Sequence, residues 1–161
     1  MKNQKIVTEF KPLPLGTPRL VFREPISVEE ILDLRGRVLR KNTPGVSGGF
    51  PEDNLPTSRH FEALSAGKAV ACLTFIKSSW EGKDAWQLRG MAVDETFHGK
   101  GIGRALLEYS IRELKTVSDV NLFWCNARVS AIGFYEKMGW RVASEEFTIE
   151  PIGPHRKMVF P

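Results

Sequence analysis

The chain has 161 residues, 42% of them hydrophobic and 26% charged, which is typical of one globular domain and excludes a disordered or membrane-embedded chain. Its net charge of +4 comes from Lys and Arg spread along the sequence, which favours no nucleic-acid partner and suits a small anionic ligand. The opening MKNQKIVTEFKPLPLG lacks the apolar run of a signal peptide, so we expect a cytoplasmic protein without a membrane partner.

The N-terminal part predicts an arm, a strand, a helix and a long loop. Prolines and a glycine interrupt residues 1–18, so we expect an arm there and a compact domain over residues 19–161. RLVFRE predicts a strand, and SVEEILDLRGRVLR predicts a helix whose capping box is Ser27 and Glu30. The following KNTPGVSGGFPEDNLP is rich in Gly and Pro, and loops of this length are often functional.

The remaining elements predict an α/β fold with a mixed sheet flanked by helices. HFEAL, KAVACLTFIKSS and DAWQLRGMAV are strand candidates joined by the turn signals SAGK and WEGK, which predicts antiparallel hairpins. RALLEYSIRELKTV predicts a buried helix, VNLFWC a strand, SAIGFYEKMG a short helix, and WRVASEEFTI and HRKMVF two last strands. Cys72 and Cys125 fall in apolar strands, so we expect buried thiols with no disulfide and no metal.

The segment FHGKGIG, residues 97–103, places three glycines at alternate positions before the longest predicted helix. A Walker loop requires Ser or Thr after Gly-Lys, but Gly101 follows Lys100, and the spacing does not fit a dinucleotide fingerprint either. The remaining interpretation is a strand, a short loop and the start of a helix. The free N–H groups at that helix start can bind a diphosphate. A glycine turn that only closes a strand–helix corner is the alternative.

Two motifs carry a resemblance to a known family. DETFHGKGIGRALL resembles the acetyl-CoA loop of the GNAT acetyltransferase superfamily, whose pattern is Arg or Gln, two residues, Gly, one residue, then Gly or Ala. Those places are held here by His98, Gly101 and Gly103, of which His98 departs from the pattern. SAIGFYEKMGW resembles the second GNAT signature through Ala131, Tyr135, Lys137, Gly139 and Trp140. LRGRVLR, WCNAR and EEFTIEPIGPHRKM are more weakly similar to the ElaA-like branch.

The resemblance implies the GNAT fold, a mostly antiparallel sheet of about six to seven strands that splays open at a wedge for acetyl-CoA. It implies direct transfer of an acetyl group from acetyl-CoA to a primary amine of a small molecule. The cofactor-binding residues that it implies are Met91, Ala92, Val93, His98, Gly99, Lys100, Gly101, Ile102, Gly103, Arg104, Asn126, Ala131, Phe134 and Tyr135. Many members of the family are dimers, so a homodimer is left open.

Acetyl transfer requires a neutral amine, a site for the oxyanion and a proton for the leaving thiolate. Tyr135 is the candidate acid, because a phenol with a reference pKa of about 10 keeps its proton at neutral pH; packing in the core is the alternative. Glu146 and His155, with Glu145 as a further possibility, are the candidate bases, because the implied topology places them near the substrate end. Each could equally be a solvated strand residue.

Several basic and aromatic residues are candidates for binding the acetyl acceptor. The candidates for acceptor binding are Arg35, Arg89, Trp124 and Arg128, with Arg40 as a further arginine, and this set favours an acceptor that carries a carboxylate. For each of these residues, the alternative is a purely structural role at the protein surface or at the sheet edge. A non-catalytic module that senses acyl-CoA is the competing function, since no base is obvious and His98 departs from the family pattern.

Overall fold

The computed structural model describes residues 19–24 and 27–161 of the chain. The arm predicted over residues 1–18 therefore lies outside the described residues. Across the described ranges, no helix combines the length and the apolar character needed to cross a membrane.

The described residues form a mixed α/β fold. Its strands are β1 (Leu20–Arg23), β2 (Arg59–Ser65), β3 (Lys68–Trp80), β4 (Lys83–Val93), β5 (Phe123–Arg128), β6 (Arg141–Val142), β7 (Phe147–Ile149) and β8 (Gly153–Phe160). Its α-helices are α1 (Glu29–Leu39), α2 (Ile102–Val117) and α3 (Ile132–Glu136), and short 3₁₀ turns lie at Pro51–Asn54, Glu95–Phe97 and Val129–Ala131.

All strands belong to one sheet in the order β1-β2-β3-β4-β5-β8-β6, with β7 also paired to β8. Every neighbouring pair is antiparallel except β4 and β5, which run parallel. The predicted hairpins of β2, β3 and β4 and the predicted fold class are confirmed. The sheet has eight strands because the segment predicted as one strand, WRVASEEFTI, divides into β6 and β7, which pair with different parts of β8.

Two helices cover opposite faces of the sheet. Because side chains alternate along a strand, β3 turns Ala71 and Leu73 to one face and Cys72 to the other. The first face packs against α2 in the larger core, and the second packs against α1 with Ile31 and Leu34. Burying each large apolar side chain contributes about 1.5–3 kcal/mol before the entropy cost of ordering it. The two thiols, at Cys72 and Cys125, are free and buried, as predicted.

The predicted capping box of α1 is wrong. The helix begins at Glu29 with Val28 at the N-cap position, and no side chain caps it. The carboxylate of Glu30 instead accepts a hydrogen bond from Arg23 at 3.0 Å, while Arg23 also binds the buried Glu62 at 2.7 Å. The Glu30 carboxylate is thus engaged in a charge-assisted hydrogen bond with the end of β1.

The parallel strands β4 and β5 separate toward their carboxyl ends. They pair only where residues 86–88 lie beside residues 123–125. Just beyond this point β4 carries a bulge, because Thr74 of β3 faces Arg89 while Cys72 faces Ala92, which leaves one extra residue on β4. Gly90 lies in this bulge with φ +60°, a conformation that glycine adopts at little cost. The result is a wedge between the two strands.

Candidate active site

A cavity of about 240 Å³ lies in this wedge. Its walls are residues 87–91 of β4 and 125–128 of β5, together with Leu39, Arg40, Phe50, Ala131, Tyr135, Ile149, Ile152 and His155. The end of α1, the 41–58 loop, the two splayed strands, α3 and the turn into β8 thus contribute to one site. Such convergence of separate elements on a small concave space is typical of a ligand site.

Tyr135 lies in the wall of the cavity with a buried side chain. Its hydroxyl group contacts the sulfur of Met91 at 3.8 Å. Burial raises the pKa of Tyr135 well above its usual range, and the nearby Cys125 adds to this effect. The phenol therefore keeps its proton at neutral pH and can act only as a proton donor in its resting state.

Cys125 lines the same cavity, but its environment does not favour a nucleophile. Burial raises the pKa of the Cys125 thiol well above its ordinary value, so the reactive thiolate is scarce at neutral pH. Among the described residues, no group of three or more His, Cys, Asp and Glu side chains could hold a metal ion. Tyr135 and His155, which both line the cavity, are side chains that can transfer protons.

His155 of β8 also lines the cavity, and its ring has a defined tautomer. Its Nδ1–H donates to the carbonyl oxygen of Gly153 at 2.7 Å, because a carbonyl can only accept. The ring stacks on Phe147 with centroids 6.1 Å apart. In the neutral imidazole, Nε2 then carries the lone pair and is available as a base. Glu146, the other predicted base, is exposed and does not line the cavity.

The start of α2 has the properties of a phosphate site. The first intrahelical bond is the one from Ala105 N–H to the Gly101 carbonyl, so the N–H groups of Ile102, Gly103 and Arg104 have no acceptor among the described residues. Gly101, the N-cap residue, has φ +77°, and a Cβ added at Gly99, two residues earlier, would meet no atom within 4 Å, so the loop before the helix borders open space. Free N–H groups and the positive end of the helix dipole favour an anion here.

Close packing holds this helix start against the end of β4. A Cβ at Gly103 would lie 3.1 Å from Val93 Cγ2 and 3.2 Å from Met91 Cε, which is tighter than ordinary contact. Glycine at this position therefore lets α2 approach the wedge. His98 is exposed, and its Nε2–H donates to the Val93 carbonyl at 2.7 Å, which ties the glycine loop to the same strand end.

The other predicted cofactor residues lie in three environments. Met91, Asn126, Ala131 and Tyr135 line the cavity. Phe134 packs edge-on against Tyr135 at 5.1 Å, Lys100 lies 5.3 Å from the Phe97 ring, and Arg104 pairs with Glu108 at 2.9 Å. The Ala92 side chain instead packs on the α1 side of the sheet, which leaves only its backbone for a ligand in the wedge.

Asn126 gives the wedge a buried hydrogen-bond acceptor, its Oδ1, that no protein donor uses among the described residues. A buried acceptor without a donor is costly, so a ligand N–H group placed here would relieve that cost. The amides of the pantetheine arm of CoA are donors of this kind. Together with the open helix start, these residues fit an acyl-CoA.

The four residues predicted for acceptor binding divide into two pairs. Arg89 and Arg128 line the cavity. Arg35 is fully buried outside it, where its guanidinium group binds Asp53 at 2.7 Å and the hydroxyl group of Thr74. Trp124 also lies outside the lining, and its Nε1–H donates to Ser78 at 3.3 Å.

Sequence reasoning missed Phe50 and Gly90. The Phe50 ring lies 4.3 Å from the Arg89 guanidinium carbon, 5.0 Å from that of Arg35 and 5.9 Å from that of Arg40. A Cβ at Gly90 would lie 2.6 Å from Arg35 Nε and 2.9 Å from Phe50 Cε2. The length and composition of the loop around Phe50 were the only signal in the sequence.

Comparisons with known proteins agree with this geometry. Residues 56–142 match a family model described as an acetyltransferase (GNAT) domain. The chain is 32% identical over 133 residues to a Bacillus subtilis (strain 168) protein named uncharacterized N-acetyltransferase YitI, a match that covers 81% of this chain and 89% of that protein.

Solved structures are similar in fold. The crystal structure of Escherichia coli ElaA superposes with a TM-score of 0.72 at 18% identity, covering 87% of this chain and 97% of ElaA. An aminoglycoside 6′-N-acetyltransferase complexed with coenzyme A superposes with a TM-score of 0.64 at 14% identity, covering 86% and 95% of the two chains. At these identities the two structures support the fold alone.

Proposed function

The chain belongs to the GNAT acetyltransferase family and is an acyltransferase, and we propose that it moves an acetyl group from acetyl-CoA directly to the primary amine of a small molecule. One observation carries the proposal: the wedge brings a protonated phenol, Tyr135, and a basic imidazole, His155, to one cavity beside an open helix start. Acetyl-CoA, when bound, supplies an acetyl group activated as a thioester.

The residues of the chain divide the binding of the cofactor among them. The free N–H groups of Ile102, Gly103 and Arg104 hold the diphosphate. Asn126 accepts a hydrogen bond from an amide of the pantetheine arm through its unpaired Oδ1. Met91 and Tyr135, which touch each other in the cavity wall at 3.8 Å, would then lie beside the reactive end of the cofactor.

Two side chains move protons. His155 Nε2 accepts a proton from the acceptor's amine, because its Nδ1–H is held by the Gly153 carbonyl. Tyr135 donates its proton to the departing sulfur, because the buried phenol still holds that proton at neutral pH. The cavity lining favours His155 over the exposed Glu146 as the base. The buried and protonated Cys125 supports direct transfer over an acyl-enzyme.

Release of free thiol from acetyl-CoA across a library of primary amines tests the proposal. We expect amine-dependent release together with an N-acetylated product identified by mass spectrometry. The same reaction with longer acyl-CoA thioesters reports whether acetyl is the preferred group. Tight binding of CoA with no amine-dependent release would replace the enzyme with a module that senses acyl-CoA.

A further inference from the structure

Two arginine side chains from distant parts of the chain meet in the wall of the cavity. Arg128 Nη2 donates to the carbonyl oxygen of Leu39 at 2.7 Å, and Arg40 Nη1 reaches the same oxygen at 3.5 Å. Leu39 is the last residue of α1, so this oxygen is one of the helix carbonyls that lack an intrahelical donor. The shared acceptor holds the two guanidinium groups side by side.

The charge of this pair lacks a carboxylate partner. Among the described residues, neither Arg40 nor Arg128 forms an ion pair, whereas the neighbouring Arg89 is paired with Glu52 at 2.9 Å. The negative end of the α1 dipole offsets only part of a unit charge. Two positive charges thus remain in a partly buried wall, and buried charges normally have partners.

The arginines also repel one another. Burial lowers the pKa of Arg128, and burial followed by repulsion from Arg128, Arg35 and Arg89 lowers the pKa of Arg40. Guanidinium groups nevertheless stay charged at neutral pH. A bound anion would reduce the repulsion and supply the missing ion-pair partner. A carboxylate suits this role because its two oxygens match the planar fork of a guanidinium group.

The coenzyme does not account for these charges. None of residues 94–104, which include the glycine loop and the first turn of α2, lines the cavity that holds Arg40 and Arg128. The anion that the arginines require is therefore separate from the diphosphate of the coenzyme. It belongs to whatever else enters the wedge, which is the acceptor.

The positions of Arg128 and His155 set the size of that acceptor. The two residues face each other in the antiparallel pair of β5 and β8, and side chains directly opposite have Cβ atoms roughly 4.5–5.5 Å apart. The arginine pair and the proposed base therefore share a cavity of about 240 Å³. One small molecule can reach both.

We propose that the acceptor is a small amino acid, whose carboxylate binds Arg128 and Arg40 while its amine faces His155. This proposal rests on the function proposed above and names its substrate class. Phe50 supports the arrangement, since its ring packs against Arg40 and Arg89 and so fixes the direction of their guanidinium groups.

Calorimetry on the CoA-saturated protein tests the proposal without requiring turnover. The probes are the common α-amino acids and short β- and γ-amino acids, each matched with its carboxamide and its aminophosphonate analogue. We expect at least one amino acid to bind roughly tenfold to a hundredfold more tightly than its carboxamide. Equal affinities, or tightest binding of a phosphonate, would overturn the proposal. Failure of the acetylation assay alone would overturn only the proposed reaction.

Variants locate the carboxylate. Arg128→Gln and Arg40→Gln should each lower the ratio of amino-acid affinity to carboxamide affinity by about tenfold. Each should also raise KM for the amino acid and leave the affinity for the carboxamide unchanged. Arg141→Gln, at an exposed position on β6, is the matched control and should keep the ratio. Thermal unfolding checks that each variant is folded, and either arginine variant suffices if the other does not fold. A ratio that both variants preserve would remove the arginines from acceptor recognition.

Discussion

Arg35 and Asp53 form an ion pair of 2.7 Å in which both side chains are buried. Asp53 also accepts the backbone N–H of Phe50 at 2.7 Å, and its own carbonyl accepts a hydrogen bond from His60 at 2.9 Å. The carboxylate and the backbone carbonyl of Asp53 together therefore fasten the 41–58 loop to α1 and to β2. This fastening places Phe50 at the edge of the cavity.

The substitution Asp53→Asn should strongly destabilise the fold. It leaves the Arg35 charge buried without its partner, and breaking such a pair costs about 3–5 kcal/mol. Urea unfolding measures the loss. Asp33→Asn breaks the exposed pair with Arg37 and is the control, for which we expect at most about 0.5 kcal/mol. Similar losses in both variants would show that the buried pair is not what holds the loop.

The substitution Gly90→Ala should disturb the cavity. The new Cβ would meet Arg35 Nε and Phe50 Cε2 inside normal contact distance, and φ +60° is unfavourable for alanine. We expect a loss of roughly 2–3 kcal/mol in urea unfolding. Gly133→Ala in α3 is the control, since its Cβ would meet nothing within 4 Å, and it should be neutral or slightly stabilising. Wild-type stability of both variants would contradict the close packing of Arg35 and Phe50 against Gly90.

The substitution Tyr135→Phe removes the proposed proton donor while keeping the ring that packs against Trp140. We expect thiol release to slow by about a hundredfold or more with the affinity for CoA unchanged. Tyr109→Phe, in the core beside Phe61, is the matched control and should keep the turnover of the folded protein. A Tyr135→Phe enzyme of normal rate would exclude the phenol from the chemistry.

The substitution His155→Gln removes the proposed base. We expect kcat/KM for the amine to fall by about a hundredfold, with the CoA affinity preserved, because His155 lies opposite Arg128, which we propose binds the acceptor. Glu146→Gln should leave kcat/KM unchanged, since that side chain is exposed. The opposite ranking of the two variants would assign the base to Glu146.

The buried Glu62 should make stability depend on pH. Burial raises the pKa of Glu62 from 4.5 to about 7, an effect that Arg23 partly offsets. Because the folded state holds this proton more tightly than the unfolded state, the stabilisation is complete below pH 4.5 and is lost as the pH rises to about 7. Glu62→Gln should abolish a decline on the order of 2–3 kcal/mol across this window. Chemical unfolding at several pH values measures this decline in stability, with Glu145→Gln at an exposed position as the control. If the decline persists in Glu62→Gln, another titrating group causes it.

Much of the fold could be predicted from the sequence because its signals are local. Alternating apolar residues specify the hairpins of β2, β3 and β4, and the helical repeat after Gly103 specifies α2. The glycines of the 97–103 segment predicted an open helix start, since their effect depends on the backbone of their own residues. The position of Tyr135 in the wedge followed from the family resemblance.

Only the tertiary structure decided which charged side chains serve the site. Arg35, Arg89 and Arg128 are equivalent in sequence terms, yet Asp53 and Thr74 hold Arg35 in the interior while the other two line the cavity. Of those two, Arg89 pairs with Glu52, and Arg128 meets no carboxylate among the described residues. Likewise His155 faces Arg128 only because β8 pairs with β5. The chemistry of a charged residue depends on which distant segments lie against it, and no local pattern encodes that.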